Sequence, residues 1–138
     1  MRAPNWLRSG LVLLTAIQLV VGAWALLFPE SFFDIPWVGM RMAYNEHLMM
    51  DIGATSLATA LLLGVAARTM SRLLARTALL VYLMWAVLHL VIHLRFLDRL
   101  TAAEGVTLLI ALGGIVIVTV TLLALTRAPR LQLTPASR

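Results

Sequence analysis

The sequence predicts an all-helical integral membrane protein, folded as a bundle of four membrane-spanning helices. Of its 138 residues, 62% are hydrophobic and 12% are charged, whereas a soluble domain is about 45–50% apolar and about 25% charged. The mean hydropathy of +0.95 points the same way. This composition argues against a soluble enzyme, a disordered tail and a nucleic-acid-binding module. The sequence contains no cysteine, which excludes disulfides and Cys-ligated metal centres.

Four apolar stretches reach the length of about 20 residues that a membrane-spanning helix requires. The predicted spans are Leu7–Phe28, Glu46–Ala67, Leu74–Leu94 and Glu104–Thr126. Pro29 and Pro36 should end the first helix, because proline lacks the backbone N–H that a helix interior needs. Glu104 suits the start of the fourth helix, where the helix dipole favours a negative charge. We predict one domain over residues 1–138.

The first span also has the features of a secretory signal peptide. Arg2 and Arg8 precede an apolar run that ends near Ala23-Trp24-Ala25, a small-residue pattern typical of a cleavage site. The apolar run is about 18 residues, whereas that of a signal peptide is usually about 7–15. We therefore expect the segment to be retained as the first helix.

The distribution of charge predicts the direction in which the chain crosses the membrane. Eight of the 11 basic residues, all of them arginines, lie before span one, between spans two and three, or after span four. All six acidic residues lie in or beside the other two connections. Because arginine accumulates on the cytoplasmic side, both termini should be cytoplasmic. The net charge of +5 then reflects topology, and no nucleic-acid partner is expected.

The spans carry one unusual polar cluster near their outward ends. His47 and Asp51 are four residues apart in span two, and His89 and His93 are four apart in span three, so each pair shares one helix face. If these spans form a hairpin that turns near Met70, the two pairs lie at matching depths. Ionisable groups within a membrane usually face the interior of the bundle. We therefore expect both pairs to turn inward and to form an outward-opening pocket.

A divalent metal ion is the first candidate ligand for this pocket, because imidazole and carboxylate groups suit several such ions. The predicted metal ligands are His47, Asp51, His89, His93 and Glu46. A haem held between two helices is the second candidate. Its axial ligands would be His47 and His93. Its propionates would meet Arg41 or Arg95.

Three other interpretations of the cluster stay open. In the first interpretation, the polar side chains serve only as packing contacts between helices. In the second, they belong to a proton path, although the inner half of the bundle has neither acids nor histidines. In the third they form a pocket for a small lipid or a quinone, with Tyr82, Trp85 and Arg95 at its rim. Because Ser56 lies on the face opposite His47 and no phosphate-binding loop is present, we do not expect an enzyme.

A stripe of small residues follows the opposite face of span two. This small-residue stripe consists of Gly53, Ser56, Ala60 and Gly64. Small residues allow helices to approach closely, so we expect span two to pack on both sides, with the stripe docked against a partner protein or a second copy. The protein would then be a structural or accessory subunit. Gly113 and Gly114 offer a second close-approach point in span four.

Several of these segments resemble a known group of proteins. The relevant residues are Phe33 to Pro36, Tyr44-Asn45-Glu46-His47, Asp51 to Ala54 and His89 to His93. Together they are similar to uncharacterised small bacterial four-helix membrane proteins, and the layout broadly resembles that of DoxX-like proteins. The resemblance covers spans one to three. It implies a four-helix fold and the bacterial cytoplasmic membrane, and it implies no ligand or catalytic residue.

Overall fold

A computed structural model describes residues 5–126, and in that range the protein forms helices and no strand. The helices are α1 (Asn5–Leu27), α2 (Pro29–Phe33), α3 (Pro36–Gly39), α4 (Glu46–Thr69), α5 (Arg72–Leu94) and α6 (Ala102–Leu125), and a 3-10 turn spans Leu97–Arg99. Helices α1, α4, α5 and α6 are each long and apolar enough to cross a membrane. The prediction of four long apolar helices is therefore confirmed, and the ends of the predicted spans differ from those of the helices by no more than two residues.

Side chains at the helix starts explain where three of the long helices begin. Asn45 and Ser71 each accept a hydrogen bond from the backbone N–H three residues later, at 3.0 and 3.5 Å. Thr101 and Glu104 form a capping box, in which each side chain accepts a hydrogen bond from the other's backbone N–H. Glu104 thus lies in the first turn of α6, as its charge predicts.

The connection between α1 and α4 is built on two prolines. Pro29 and Pro36 each occupy the first turn of a short helix, where a missing N–H costs no hydrogen bond. The prolines follow the end of α1 as predicted, but they also begin α2 and α3, which the hydropathy pattern does not predict. After α3 the backbone of Met40 and Arg41 is left-handed, with φ of 48° and 54°, a conformation that side-chain-bearing residues adopt at a cost.

Helices α1 and α4 pack along much of their length and approach most closely at two glycines. A Cβ placed on Gly22 would lie 3.0 Å from the carbonyl oxygen of Gly53, and one on Gly53 would lie 2.7 Å from the backbone nitrogen of Leu26. Glycine permits this approach because any side chain would collide with the backbone of the other helix. The crossing therefore fixes the face of α4 that turns toward α1.

The bundle has two ends, which we call the terminal end and the loop end. The terminal end carries residues 5 and 126 and the turn at Met70, and there Arg72 Nε donates to the backbone oxygen of Thr126 at 2.8 Å. The loop end carries the connections 28–45 and 95–101. Within residues 5–126, the two short helices α2 and α3 both lie at the loop end.

Two hydrophobic cores hold the helices together. The larger core draws on all four long helices and includes Leu11, Leu63, Leu79 and Leu122. A smaller core beneath α2 contains Ala25, Phe32 and Met49. Helix α5 packs mainly on α6, and less on α4, although only a short turn separates it from α4. The close approach expected at Gly113 and Gly114 is wrong, because no neighbouring atom lies within 4 Å of a Cβ at either position.

Candidate functional site

One face of α5 carries four aromatic rings in a row, which we call the ring column: Tyr82, Trp85, His89 and His93. The rings of Tyr82 and Trp85 are stacked with centroids 5.7 Å apart, and those of Trp85 and His89 are stacked at 4.7 Å. The rings of His89 and His93 meet edge to face at 4.5 Å. Spacings of three and four residues keep the rings on one helix face, over about 16 Å of helix.

The inner end of the ring column is fully buried and is held by a hydrogen bond to another helix. Tyr82 has no exposed surface, and Gln18 of α1 is 2% exposed. Gln18 Nε2 donates a hydrogen bond to the Tyr82 hydroxyl oxygen at 2.9 Å. The column is thereby anchored to α1 near the middle of the bundle. Gln18 stands out in the sequence as a polar residue in the middle of an apolar span, but nothing there identifies Tyr82 as its partner.

The other end of the ring column is only half-buried and contains an unpaired polar atom. Trp85, His89 and His93 are each partly accessible at their edges. His93 Nδ1 is shielded from solvent, yet it has no hydrogen-bond partner within residues 5–126. Buried polar atoms nearly always have such a partner, and leaving one unmet is costly. The column therefore ends in an imidazole nitrogen whose hydrogen-bonding capacity is unused in the described range.

The other half of the predicted cluster lies on the surface. His47 Nδ1 and Asp51 Oδ2 are 3.1 Å apart on α4, and their side chains are 87% and 65% exposed. Glu46 is exposed as well. The expectation that His47 and Asp51 turn inward is therefore wrong, and this pair contributes no wall to an enclosed pocket.

The residues predicted as metal ligands do not form one metal-binding group. Across the described part of the chain, no three or more His, Cys, Asp or Glu side chains are arranged to hold a metal ion. Residues at matching depth on two antiparallel helices lie at the same height in the bundle, but their side chains need not face each other. The rotation of α4 about its axis decides whether the pairs meet, and the glycine crossing with α1 sets that rotation.

The small-residue stripe of α4 is filled by α1 of the same chain. Gly53, Ser56 and Ala60 are buried, and a Cβ on Gly64 would contact Thr15 of α1 at 3.4 Å. The expected occupant, a helix of a partner, is thus replaced by the chain's own first helix. The face opposite this stripe is exposed, so α4 does not pack on both sides as expected.

The two arginines predicted to meet haem propionates have different surroundings. Arg41 donates to the backbone oxygen of Arg99 and lies 3.0 Å from Glu104 Oε2, so it ties the connection 28–45 to the start of α6. Arg95 follows the last residue of α5 and is exposed. The Arg41–Glu104 pair links residues 63 positions apart, and no local pattern in the sequence predicts it.

Arg41 also borders a cavity of about 300 Å³ at the loop end. Its walls include Phe33, Ile35, Met40, Asp34 and Glu104. The cavity combines an apolar wall with three charged side chains. No sequence motif marks it, because its walls come from the end of α2, from α3 and the residues on either side of α3, and from the first turn of α6.

Acidic residues also influence Tyr44, which precedes α4. Partial desolvation raises the pKa of its hydroxyl, and the negative charges of Glu46, Glu30 and Asp34 raise it further. Its ring meets that of Phe33 edge to face at 5.3 Å. The nearby acidic residues therefore favour the neutral form of the Tyr44 hydroxyl.

The fold and the site together define a class of protein: a helical bundle with four helices able to cross a membrane and a column of aromatic rings along one of them. Comparison of the chain with models of protein families, with curated proteins and with solved structures finds no match.

Proposed function

We propose that the protein binds a lipid-soluble compound with a planar, carbonyl-bearing head group, such as a quinone, at the half-buried end of the ring column. The observation that carries this proposal is the position of His93 Nδ1. This nitrogen is shielded from water and lacks a partner in the described range, beside a stack of rings that a planar molecule can extend.

The chemistry of imidazole suits such a head group in both of its common forms. A protonated ring nitrogen donates to a quinone carbonyl, and an unprotonated one accepts from a quinol hydroxyl. The neighbouring His89 and Trp85 rings offer apolar edges for offset or edge-to-face contacts. The partial exposure of His89 and His93 gives a molecule dissolved in the bilayer a route to these contacts.

The fixed inner end of the column supports the same proposal. Because the Gln18 amide holds the Tyr82 hydroxyl and both side chains are buried, the deeper half of the column provides an ordered base. A binding site gains affinity when its contact groups are ordered beforehand. The ring column thus has an ordered base at Tyr82 and an unpaired ring nitrogen at His93.

We further infer that the protein lies in the bacterial cytoplasmic membrane with the terminal end on the cytoplasmic side. Arginines cluster in the sequence near both termini and beside the turn at Met70, which is the pattern that selects the cytoplasmic side. The ligand site near His93 would then lie toward the outer leaflet.

Fluorescence quenching by decylubiquinone tests the proposed function. The variant used carries Trp6→Phe, Trp24→Phe and Trp37→Phe, so that Trp85 alone reports binding. We expect saturable quenching, because a quinone near His93 lies close to Trp85. Replacing His93 with leucine should weaken binding by about three- to tenfold, the value of one hydrogen bond.

His47→Ala is the matched control, because His47 is an exposed histidine on a different helix. It should leave the affinity unchanged. Equal affinities of the His93 and His47 variants would contradict the proposal, and so would quenching that rises without saturation. Dodecylbenzene, which has a ring and a chain but no carbonyl, should bind no more tightly to the parent than to the His93 variant.

A further inference from the structure

We propose that two copies of the chain associate side by side through an exposed face of α4, independently of ligand binding at the ring column. This face, which we call the polar stripe, consists of His47, Asp51, Ala54 and Ala58. All four residues are exposed. The opposite face of α4 is occupied by α1 at Gly53, so the polar stripe is the side of α4 that remains for another molecule.

The polar stripe reaches into the membrane. Between Asp51 and Arg68 lie residues 52–67, which span about 24 Å at 1.5 Å per residue. The hydrocarbon core is about 30 Å thick, so these two charged residues cannot both lie outside it. The arginine side chain is long and reaches the interface from within the helix, whereas the aspartate side chain is short. The Asp51 carboxylate therefore lies at or inside the hydrocarbon boundary.

A carboxylate in this position favours a polar partner over lipid. Ionisable groups in spanning helices face the bundle interior, a cavity or each other, because contact with acyl chains is costly. Within residues 5–126, the Asp51 carboxylate lies 3.1 Å from the His47 ring, and both side chains remain mostly exposed. This contact leaves most of the polar surface uncovered.

A second copy supplies the complementary surface. Both copies cross the membrane in the same direction, so a two-fold axis along the membrane normal brings the two polar stripes together at equal depth. The 3.1 Å contact within the pair joins Nδ1 and Oδ2, which leaves His47 Nε2 and Asp51 Oδ1 to bond across the interface. His47 of each copy would then bond to the partner's Asp51, because the polar stripe offers both a ring nitrogen and a carboxylate oxygen to an identical stripe.

The remainder of the polar stripe allows the two helices to come close. Ala54 and Ala58 follow Asp51 on the same face and are separated by one turn. Small residues at this spacing permit short interhelical distances in membranes. A crossing near Ala54 would place the His47 and Asp51 pairs within reach of one another.

Cysteine cross-linking tests this interface directly, because the natural chain contains no cysteine. Ala54→Cys and Ala58→Cys are made singly in the full chain, and native membranes are oxidised with copper phenanthroline. A disulfide forms only when two Cβ atoms approach within about 4.5 Å. We expect a covalent dimer of twice the chain mass from one or both variants.

Ala16→Cys and Ala111→Cys are the matched controls, since both alanines are exposed on other helices. They should yield several-fold less dimer. Equal yields from all four variants would indicate random collision and would overturn the proposal. A complete absence of cross-links would also overturn it, as would a product whose mass requires a different protein.

A second measurement separates association from folding. Energy transfer between labelled copies in detergent should report a dimer that Asp51→Ala weakens by about tenfold. Glu30→Ala removes an exposed carboxylate outside the spans and should leave the dimer unchanged. Both variants should retain the parent's helical signal and quinone affinity, so failure of this proposal leaves the proposed function intact. An unchanged dimer in a folded Asp51→Ala variant would overturn it.

Discussion

The side-chain amide of Gln18 lies 2.9 Å from the hydroxyl oxygen of Tyr82 and joins α1 to α5 inside the bundle. Both side chains are buried, so neither has water as an alternative partner. This is the one side-chain hydrogen bond between α1 and α5 in the described range, and it positions the base of the ring column.

Replacing Tyr82 with phenylalanine should lower the free energy of unfolding by about 1 kcal/mol, because the Gln18 amide loses its partner. Gln18→Leu should have a similar effect. The double variant should lose less than the sum of the two, since neither polar group is then left unpaired. Unfolding in mixed detergent micelles measures all three. Strictly additive losses would contradict the pairing.

Replacing Gly53 with alanine should destabilise the bundle by about 1–3 kcal/mol, because the new Cβ would lie 2.7 Å from the Leu26 backbone nitrogen. Gly113→Ala is the control, since a Cβ there meets nothing within 4 Å. Alanine favours helix more than glycine does, so the control should be neutral or slightly stabilising. The midpoints of thermal unfolding of the two variants test this prediction. Similar midpoints for the two would show that the crossing at Gly22 is looser than described.

Removing the Arg41 side chain should loosen the loop end with little effect on the whole bundle. Arg41 holds its connection against Arg99 and Glu104, but the ion pair is partly exposed and such pairs contribute little to global stability. In Arg41→Ala we expect faster amide hydrogen exchange over residues 34–44 and an unchanged thermal midpoint. Arg95→Ala, at an exposed arginine of the same end, should exchange like the parent. Unaltered hydrogen exchange in the Arg41 variant would show that the contacts of Arg41 with Arg99 and Glu104 do not hold this connection in place.

Elemental mass spectrometry of protein purified in detergent without chelator should find well below one transition-metal ion per chain. The reason is that the described residues gather no set of three or more ligands, and sites with fewer protein ligands hold such ions weakly. A His89→Ala preparation provides the background. Iron, zinc or manganese near one per chain, lost in that variant, would contradict this prediction and return His89 and His93 to the role of metal ligands.

Single cysteines report the direction of insertion. Thr69→Cys lies at the terminal end and Ala43→Cys at the loop end, and both positions are exposed. In bacterial cells from which the outer membrane has been removed, a membrane-impermeant maleimide should label Ala43→Cys and spare Thr69→Cys. The reason is that arginine-rich ends stay cytoplasmic. The opposite labelling pattern would reverse the inferred topology.

The sequence predicts the four long helices well because each is a long apolar run. Their starts are predicted less exactly, since the capping residues Ser71 and Thr101 begin α5 and α6 two residues before the predicted spans. The faces are harder to predict. Helix α4 has a polar stripe and a small-residue stripe on opposite sides. The cost of exposing charged groups to lipid predicts that the polar stripe faces the bundle interior, whereas close helix packing predicts that the small-residue stripe does.

The structure resolves that competition through a residue on another helix. Gly22 of α1 makes the small-residue face of α4 the one that packs, and this turns His47 outward. Around Gly22, the Ala23-Trp24-Ala25 segment has the pattern of a cleavage site, yet Ala25 is fully buried and belongs to the smaller core. On α5 no second stripe competes, which is why its inward face could be predicted from the sequence.

The unequal packing of the four long helices has a consequence for biosynthesis. Because α1 packs on α4 far more than α4 packs on α5, the contacts between the first two spans do not require the third. We therefore expect the nascent chain to mature as two successive hairpins joined at Met70 and Ser71. The Gln18–Tyr82 hydrogen bond is a late event in this order, since it waits for the second hairpin to arrive. Two fragments of the chain, divided between Met70 and Ser71 and produced in the same cell, should therefore reassemble into the bundle.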